Sequence, residues 1–264
     1  MELAGARVLI TGASRGIGEA MAREAARRGA IPALVARSTG VLSRIAAEVG
    51  GTAHPADLAD SAALHSLIER VEAEAGPIDV LVNNAGGVDA RWIAGSSAEA
   101  VSAMYRLNLL APVELCRQAL PRMLHRGRGH VVNVSSLGAS AALPGLVAYS
   151  SAKAGLSHFT AGLRTDLRGL PVETTLVELG PVPTDALDAA KQYRPAAASY
   201  QRLYRLHLLV DVPRERVARR VIRAVALGKR HVTIPRRACV TAAFSHAPGK
   251  LVELLLKGVE HQQR

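Results

Sequence analysis

The chain has 264 residues, 49% of them hydrophobic and 21% charged, so it can bury a substantial core and is expected to be globular. No apolar run reaches the roughly 18 residues of a membrane span, and no basic start precedes the first apolar run as it would in a signal peptide. No CxxC or HExxH spacing indicates a metal site. Because Cys116 and Cys239 are far apart and form no CxxC, we expect them to be reduced thiols in a cytoplasmic protein. The net charge of +11 lies almost wholly in residues 201–264, which carry fourteen Lys or Arg and four Asp or Glu, but no recognition motif or aromatic interleaving points to nucleic acid.

Strands and helices alternate along the chain. Apolar runs predict strands at RVLIT, IPALVA, TAHPADL (weaker), IDVLVNNAG, GHVVNVSS, VETTLVEL and HVTIP. Helices are predicted over 16–28, 41–49, the segment SAALHSLIERVEAEAG, 98–123, 148–167 and the basic amphipathic segment ERVARRVIRAVALG. This alternation predicts an α/β fold with a doubly wound parallel sheet between two helical layers, and no repeat or linker divides it into domains.

A glycine-rich turn joins the first strand to the first helix. In ITGASRGIGEA, Gly12, Gly16 and Gly18 are spaced GxxxGxG. Glycine lets a phosphate approach the main chain closely, and the helix N-terminus adds unpaired N–H groups. The turn therefore predicts a dinucleotide pyrophosphate site, although tight strand–helix packing alone would also require glycine. It is not a Walker motif, which needs GxxxxGK followed by Ser or Thr.

The end of the second strand indicates which nicotinamide cofactor binds. An acidic residue there holds the ribose 2′-hydroxyl, whereas an arginine accommodates a 2′-phosphate. Here the strand ends in Arg37 and Ser38, and Arg15 in the glycine turn supplies a second cation. Because guanidinium donors form a planar fork that suits phosphate, we predict NADP(H). The alternative is that Arg37 is a solvated loop residue.

The stretch VAYSSAK places Tyr149 four residues before Lys153 on one face of a predicted helix. Alone, the pair is compatible with a solvated surface contact. An ammonium about 4 Å from a phenolate, at an effective dielectric constant of ~20, stabilises it by roughly 4 kcal/mol. That energy corresponds to about three pKa units before burial acts in the opposite direction, so Lys153 is expected to bring the pKa of Tyr149 towards neutrality.

Taken together, the motifs are similar to those of the short-chain dehydrogenase/reductases. TGASRGIG, the NNAG that ends at Gly86, Asn108, the VNVSS that ends at Ser136, and YSSAK occur in that family's order, over roughly residues 4–182. The resemblance implies one Rossmann-type domain, residues 1–264, with about seven parallel strands. It also implies a catalytic tetrad of Asn108, Ser136, Tyr149 and Lys153, in which the spacing to Tyr149 selects Ser136 over Ser135.

The same resemblance implies the cofactor contacts. It places Asp57 and Leu58 beside the adenine and Asn84 beside the ribose. The full expected set is Gly12, Ser14, Arg15, Gly16, Ile17, Gly18, Arg37, Ser38, Asp57, Leu58, Asn84, Ala85, Gly86, Tyr149, Lys153, Val182 and Thr184. One departure is visible: Leu179 stands where the family often has proline, while Gly180, Val182 and Thr184 remain.

The motif set leads to a chemical hypothesis. The nicotinamide would exchange a hydride with a carbonyl or secondary alcohol, Tyr149 would supply the proton, and Ser136 would orient the oxygen. Lys153 would lower the pKa of Tyr149 and hold the ribose, and the family suggests that Asn108 holds a relay water. The alternatives are a catalytically inactive NADP-binding scaffold or sensor, and an epimerase or dehydratase of the related longer family, for which little chain remains.

The last part of the chain is expected to set the substrate and the partners. Residues 185–212 form a predicted lid with Tyr193, Tyr200 and Tyr204 among several leucines, which favours an apolar substrate, long-chain or 3-oxoacyl, unless these residues only pack on the core. The basic quarter, ending in an amphipathic extension at 236–264, is a solvated face, a contact for an anionic membrane, or a contact for an acidic carrier protein. By resemblance, we expect a homodimer or homotetramer that pairs through helices 98–123 and 148–167.

Overall fold

A computed structural model describes residues 1–235 of the chain. The predicted amphipathic extension at 236–264 and Cys239 lie outside the described residues. Within residues 1–235, no helix is long and apolar enough to cross a membrane.

Seven parallel strands form one sheet, as the alternation of strands and helices predicts. The strands are β1 (Arg7–Thr11), β2 (Ile31–Ala36), β3 (Thr52–Pro55), β4 (Val80–Asn83), β5 (Gly129–Ser136), β6 (Val172–Leu179) and β7 (His231–Ile234). Their order across the sheet is β3-β2-β1-β4-β5-β6-β7, and every neighbouring pair is parallel. The connection reverses direction between β1 and β4, so a crevice opens there at the carboxyl ends of the strands.

Helices cover both faces of the sheet. They are α1 (Gly16–Arg27), α2 (Thr39–Val49), α3 (Ser61–His65), α4 (Leu67–Ala75), α5 (Ala98–Tyr105), α6 (Ala111–His125), α7 (Val147–Asp166), α8 (Asp185–Gln192), α9 (Arg194–Arg205) and α10 (Arg214–Ala226). Alternate residues of β1 show the two layers, because Val8 and Ile10 pack with α1, α2 and α10. Leu9, on the opposite face, packs with α4, α6 and α7. The three-layer doubly wound fold is therefore confirmed.

Two predicted helices differ from the observed ones. The segment expected as a single helix over SAALHSLIERVEAEAG is divided at Ser66 into α3 and α4. The Gln118 side chain accepts a hydrogen bond from the N–H of Ile68 (3.2 Å) and donates one to the carbonyl of Leu64 (2.8 Å). These are the two backbone groups that an unbroken helix would pair with each other, so Gln118 takes the place of that helical hydrogen bond.

The helix predicted over 98–123 contains a turn of another kind. Between α5 and α6 the backbone forms a π-helical turn, Arg106–Leu110. A π turn inserts one extra residue per turn and often occurs at functional sites. Here it surrounds Asn108, whose side chain is fully buried. The sequence periodicity continues through this turn and gives no sign of it.

Candidate active site

A cleft lies at the carboxyl ends of the strands, on the side of β4, β5 and β6. Its empty volume is about 1090 Å³, including space that is open to solvent. Catalytic candidates Asn108, Ser136, Tyr149 and Lys153 all line it, together with Ile17, Asn84, Gly86, Val182 and Thr184 of the cofactor set. The structure thus brings the tetrad and the nicotinamide side of the predicted cofactor site into one cleft.

The glycine turn has the geometry that a pyrophosphate needs. Gly12 has φ +67° and Gly16 has φ +61°, in the left-handed region that favours glycine. A Cβ atom on Gly18 would lie 2.2 Å from the carbonyl oxygen of Gly12, so only glycine fits there. The side chain of Arg15, the residue before α1, makes no capping hydrogen bond to the first turn. The N–H groups at the start of this helix therefore suit a phosphate, and the turn fits a dinucleotide.

Thr11 joins the glycine turn to the NNAG turn, a role that sequence reasoning missed. Its buried hydroxyl accepts hydrogen bonds from the N–H groups of Asn84 and Ala85, both at 3.0 Å. It donates to the carbonyl of Val82 at 3.2 Å, while the amide of Asn84 donates to the carbonyl of Thr11 at 2.9 Å. The sequence offered one sign of this role, since Thr11 stands directly before Gly12, the first glycine of the GxxxGxG pattern.

Backbone carbonyls hold the side chains of Asn108 and Lys153 in the space beside Gly86. The Asn108 amide donates to the carbonyls of Met104 (3.0 Å) and Gly87 (3.1 Å), and the Lys153 ammonium donates to the carbonyl of Val134 (2.9 Å). A Cβ atom on Gly86 would lie 2.8 Å from Oδ1 of Asn108 and 3.4 Å from Nζ of Lys153. Glycine therefore keeps open the space between the amide and the ammonium.

Ser136 and Tyr149 meet on the opposite wall of the cleft. Ser136 ends β5, and its Oγ accepts a hydrogen bond from the N–H of Gly138 at 3.0 Å, while its hydroxyl also hydrogen-bonds Tyr149. Its neighbour Ser135 points instead to α7, where its hydroxyl bonds the carbonyl of Lys153 (3.0 Å) and the hydroxyl of Ser157 (2.8 Å). The geometry thus separates the two serines by role.

Burial dominates the electrostatics of the Tyr149–Lys153 pair. It raises the pKa of Tyr149, although a hydrogen bond with Ser136 acts in the opposite direction. It lowers the pKa of Lys153 to about 8. The expected fall in the pKa of Tyr149 through Lys153 is therefore wrong for this structure, because withdrawing the phenol from water is the larger effect. At neutral pH the phenol is protonated, which suits a proton donor.

The residues expected at the adenine end lie outside the cleft. Arg37 is exposed after β2, and its side chain makes no ion pair or hydrogen bond with the rest of residues 1–235. Ser38 precedes α2 without capping it. Asp57 accepts a hydrogen bond from the N–H of Ala59 at 3.0 Å, and Leu58 is buried beside it. Ser14 lies within the glycine turn, between Gly12 and Arg15.

Arg15, the second expected cation, has a partner that the sequence did not indicate. Its guanidinium forms an ion pair with Asp185, with Nη1 and Oδ2 2.7 Å apart. Asp185 is the first residue of α8, so this pair joins the glycine turn to the lid. Both side chains are about 70% exposed, which makes the ion pair weak and replaceable by a phosphate.

The predicted lid consists of α8, α9 and the loop before α10. Of its three tyrosines only Tyr200 lines the cleft. Tyr193 is buried in packing, and the Tyr204 hydroxyl donates a short hydrogen bond to Asp211. Burial and the neighbouring Tyr149 raise the pKa of Tyr200 to about 12. Tyr200 is thus a second protonated phenol in the cleft, and sequence reasoning did not separate it from the other two.

The departure at Leu179 leaves this end of the cleft intact. Leu179 is buried as the last residue of β6 and lines the cleft. The N–H of Gly180 donates to the carbonyl of Ile234 at 2.7 Å, and Val182 and Thr184 follow in the cleft wall.

Among residues 1–235, no three His, Cys, Asp or Glu side chains are placed to hold a metal ion.

Comparisons with known proteins agree with this arrangement. A family model described as short chain dehydrogenase matches residues 6–194. The chain is 38% identical over 180 residues to Ketoacyl reductase HetN of Nostoc sp., a match that covers 66% of this chain and 63% of that protein. It is 37% identical over 201 residues to a Fatty acyl-CoA reductase of Mycobacterium tuberculosis, covering 73% of this chain and 68% of that one. The chain therefore spans about two thirds of the length of these curated relatives.

Solved structures share the fold. A short-chain dehydrogenase/reductase of Burkholderia phymatum in complex with NAD has a TM-score of 0.82 over 95% of this chain and 96% of its own, at 24% identity. A metagenomic short-chain oxidoreductase in complex with NADP has a TM-score of 0.64 over 68% of this chain and 84% of its own, at 36% identity.

The lowered pKa of Lys153 predicts a pH-dependent stability. Between the folded value of about 8 and the ordinary value of 10.5 the unfolded chain binds more protons, so folding stability should rise with pH in that window. From pH ~7.5 to ~9.5 the gain should be about 2 kcal/mol, to be measured by urea unfolding. Lys153→Met should lack this gain, whereas titration of Cys116 and the other lysines is common to both proteins. An equal slope in both would contradict the assignment.

Proposed function

Because the chain belongs to the short-chain dehydrogenase/reductase family and is therefore an oxidoreductase, we propose that it reduces the carbonyl group of an apolar substrate with NADPH. The observation that carries this proposal is the apolar cleft that holds Ser136, Tyr149, Lys153 and Asn108 together. The inactive-scaffold alternative would be favoured by a missing tetrad member, and all four are in place. We also propose a cytoplasmic location, since Cys116 is buried and forms no disulfide within residues 1–235.

Each residue of the tetrad has a defined part in the reaction. When bound, the nicotinamide supplies the hydride that reduces the carbonyl carbon. The protonated phenol of Tyr149 donates its proton to the carbonyl oxygen as negative charge develops there. Ser136, whose Oγ is positioned by the N–H of Gly138, donates to the same oxygen and orients it. The product is an alcohol, and the reverse sequence oxidises it.

Lys153 and Asn108 support the proton donor. Lys153 is charged at neutral pH and lies one helical turn from Tyr149, so it stabilises the phenolate that remains after proton transfer. The phenolate then recovers a proton from solvent along the side of the cleft where Asn108 lies. The hydrogen bonds of Asn108 to Gly87 and Met104 keep its amide fixed in that position.

The preference for NADPH rests on the cations at the adenine end. Arg37 follows β2, where an acidic residue would favour NAD, and no carboxylate among residues 1–235 pairs with it. Arg15 lies in the adjacent glycine turn. Together they offer two guanidinium groups to a 2′-phosphate.

The substrate class rests on the cleft wall. Seven leucines line it, namely Leu137, Leu143, Leu146, Leu179, Leu187, Leu203 and Leu209. A long-chain or 3-oxoacyl substrate would bury its chain against them. The names of the two relatives, a ketoacyl reductase and a fatty acyl-CoA reductase, support an acyl substrate.

The assembly and partner proposals rest on exposed surfaces. We propose a homodimer or homotetramer that pairs through the helical region 98–123 and α7. These helices expose Leu110 (54%) and Val147 (49%), which pairing would cover. The basic quarter of the chain remains a proposed contact for an anionic membrane or an acidic carrier protein.

Removing the phenol hydroxyl should abolish most of the activity. Tyr149→Phe loses the proton donor, and we expect kcat to fall by about 100-fold or more. The measurement is NADPH oxidation with ketones and 3-oxoacyl thioesters. Tyr204→Phe, a lid tyrosine outside the cleft, is the matched control and should keep nearly full kcat. Retention of most activity by Tyr149→Phe would show that another group supplies the proton.

Arg37 should decide the cofactor preference. Arg37→Ala removes a charge-assisted contact to the 2′-phosphate, so KM for NADPH should rise roughly tenfold or more. KM for NADH should change little, because NADH lacks that phosphate. Arg44→Ala, an exposed arginine on α2, serves as the charge control. An unchanged ratio of the two KM values would mean that Arg37 does not contact the cofactor.

Releasing Arg15 should have the opposite effect. Asp185→Asn breaks the Arg15–Asp185 ion pair and frees the guanidinium for the 2′-phosphate. Because exposed pairs contribute at most about 1 kcal/mol, KM for NADPH should fall by up to ~5-fold relative to NADH. Asp188→Asn, one turn further along α8, controls for the loss of charge. A rise in KM for NADPH would show that the ion pair organises the site for the cofactor.

A further inference from the structure

The loop between α9 and α10 displays three large apolar side chains to solvent. Leu206 is 48% exposed, Leu208 49% and Val210 40%. We name residues 206–210 the lid loop. Exposed apolar residues scattered singly are ordinary, but a group of them on one short loop marks a contact surface.

The backbone holds this loop in a defined shape. The N–H of Leu208 bonds the carbonyl of Leu203 at 3.0 Å, and the N–H of His207 bonds the carbonyl of Tyr204 at 2.9 Å. This is the Schellman pattern at a helix end, with His207 at φ +55° in the position usually taken by glycine. The N–H of Val212 then bonds the carbonyl of Pro181 at 3.1 Å, beyond the end of β6. The apolar side chains are therefore presented by an ordered turn.

Basic residues flank the lid loop on both sides. Arg202 and Arg205 precede it in α9, and Arg214 follows it at the start of α10. The acidic residues nearby are Asp211, which accepts the hydrogen bond of Tyr204, and Glu215, which forms an exposed ion pair with Arg214 at 2.9 Å. The loop is thus an apolar tip between positive flanks.

The lid loop also borders the cleft. Leu209, between the exposed Leu208 and Val210, lines the cleft, as does Leu203 one turn before the loop. Neighbouring residues of one segment therefore contact solvent and the substrate cavity.

From these observations we propose that the lid loop inserts into an anionic lipid surface and that the apolar substrate enters the cleft from that surface. The substrate part of this proposal rests on the proposed function. An apolar tip matches the acyl region of a bilayer, and arginines beside it match the phosphate level. An acidic carrier protein would be recognised by the arginines alone and gives no reason for Leu206 and Leu208 to be exposed.

The test uses the full chain and vesicles of phosphatidylcholine with or without phosphatidylserine. Co-sedimentation should require phosphatidylserine, and Leu206→Asp/Leu208→Asp should weaken it by about tenfold or more. The matched control is Leu227→Asp, which changes an exposed leucine directly after α10 and should bind vesicles like the wild type. Leu227 is 56% exposed and does not line the cleft.

Activity measurements distinguish loss of membrane binding by the lid loop from misfolding of the variant and from an incorrect proposed function. On a short, water-soluble ketone the double variant should keep the wild-type kcat/KM. On a long-chain ketone carried in the vesicles, its rate should fall in proportion to binding. If the wild type reduces no ketone, the proposed function fails, while the vesicle experiment still tests the loop.

Two results would overturn the proposal. Equal vesicle binding by the wild type and the double variant would assign any membrane contact to a part of the basic quarter other than the lid loop. Binding of an acidic acyl carrier protein that the double variant loses, without vesicle binding by the wild type, would make the loop a protein-docking surface.

Discussion

The site depends on one buried hydroxyl at the point where the sheet changes direction. Thr11 is the last residue of β1, and its side chain bonds three backbone groups of the segment that leaves β4, those of Val82, Asn84 and Ala85. A parallel sheet brings the ends of β1 and β4 together but does not fix the turns that follow them. The Thr11 hydroxyl fixes both, because its donor and acceptor positions are all used in a site without competing water.

The rest of the site is positioned from these two turns. The NNAG turn continues to Gly86, whose missing side chain leaves the space shared by Asn108 and Lys153. Lys153 is in turn held by the carbonyl of Val134 in β5, the strand beside β4. The ammonium and the phosphate-binding turn are thus joined through a few short hydrogen bonds, which explains how residues far apart in sequence keep a fixed geometry.

Burial of this cluster has an energetic cost that also defines its chemistry. The charged form of Lys153 and the ionised form of Tyr149 are both disfavoured away from water, so the pKa of Lys153 falls and the pKa of Tyr149 rises. At neutral pH the pair therefore consists of a protonated phenol and an ammonium that loses its proton more readily than an ordinary lysine does. This resting protonation state is the one from which Tyr149 can donate a proton in the proposed carbonyl reduction.

The sequence predicted the sheet and its layers because those features follow periodicity, and the family resemblance indicated four tetrad candidates that the fold brings into one cleft. It could not predict the break at Ser66 or the π turn at Asn108, since each depends on contacts distant in the chain. Gln118 competes for backbone groups some 50 residues away. Nor could it predict which lid tyrosine faces the cleft, because Tyr193, Tyr200 and Tyr204 share composition and differ only in how α8 and α9 pack.

The Arg15–Asp185 pair shows that cofactor and substrate elements are not independent. Arg15 belongs to the phosphate-binding turn, whereas Asp185 begins the lid that carries Tyr200 and the lid loop. A phosphate that takes Arg15 removes one tie that holds α8 against the turn, so cofactor binding and lid position are linked. The exposure of both side chains limits that linkage to about 1 kcal/mol. Leu187 and Leu203, which are buried in the cleft wall, also tie α8 and α9 to the rest of the fold.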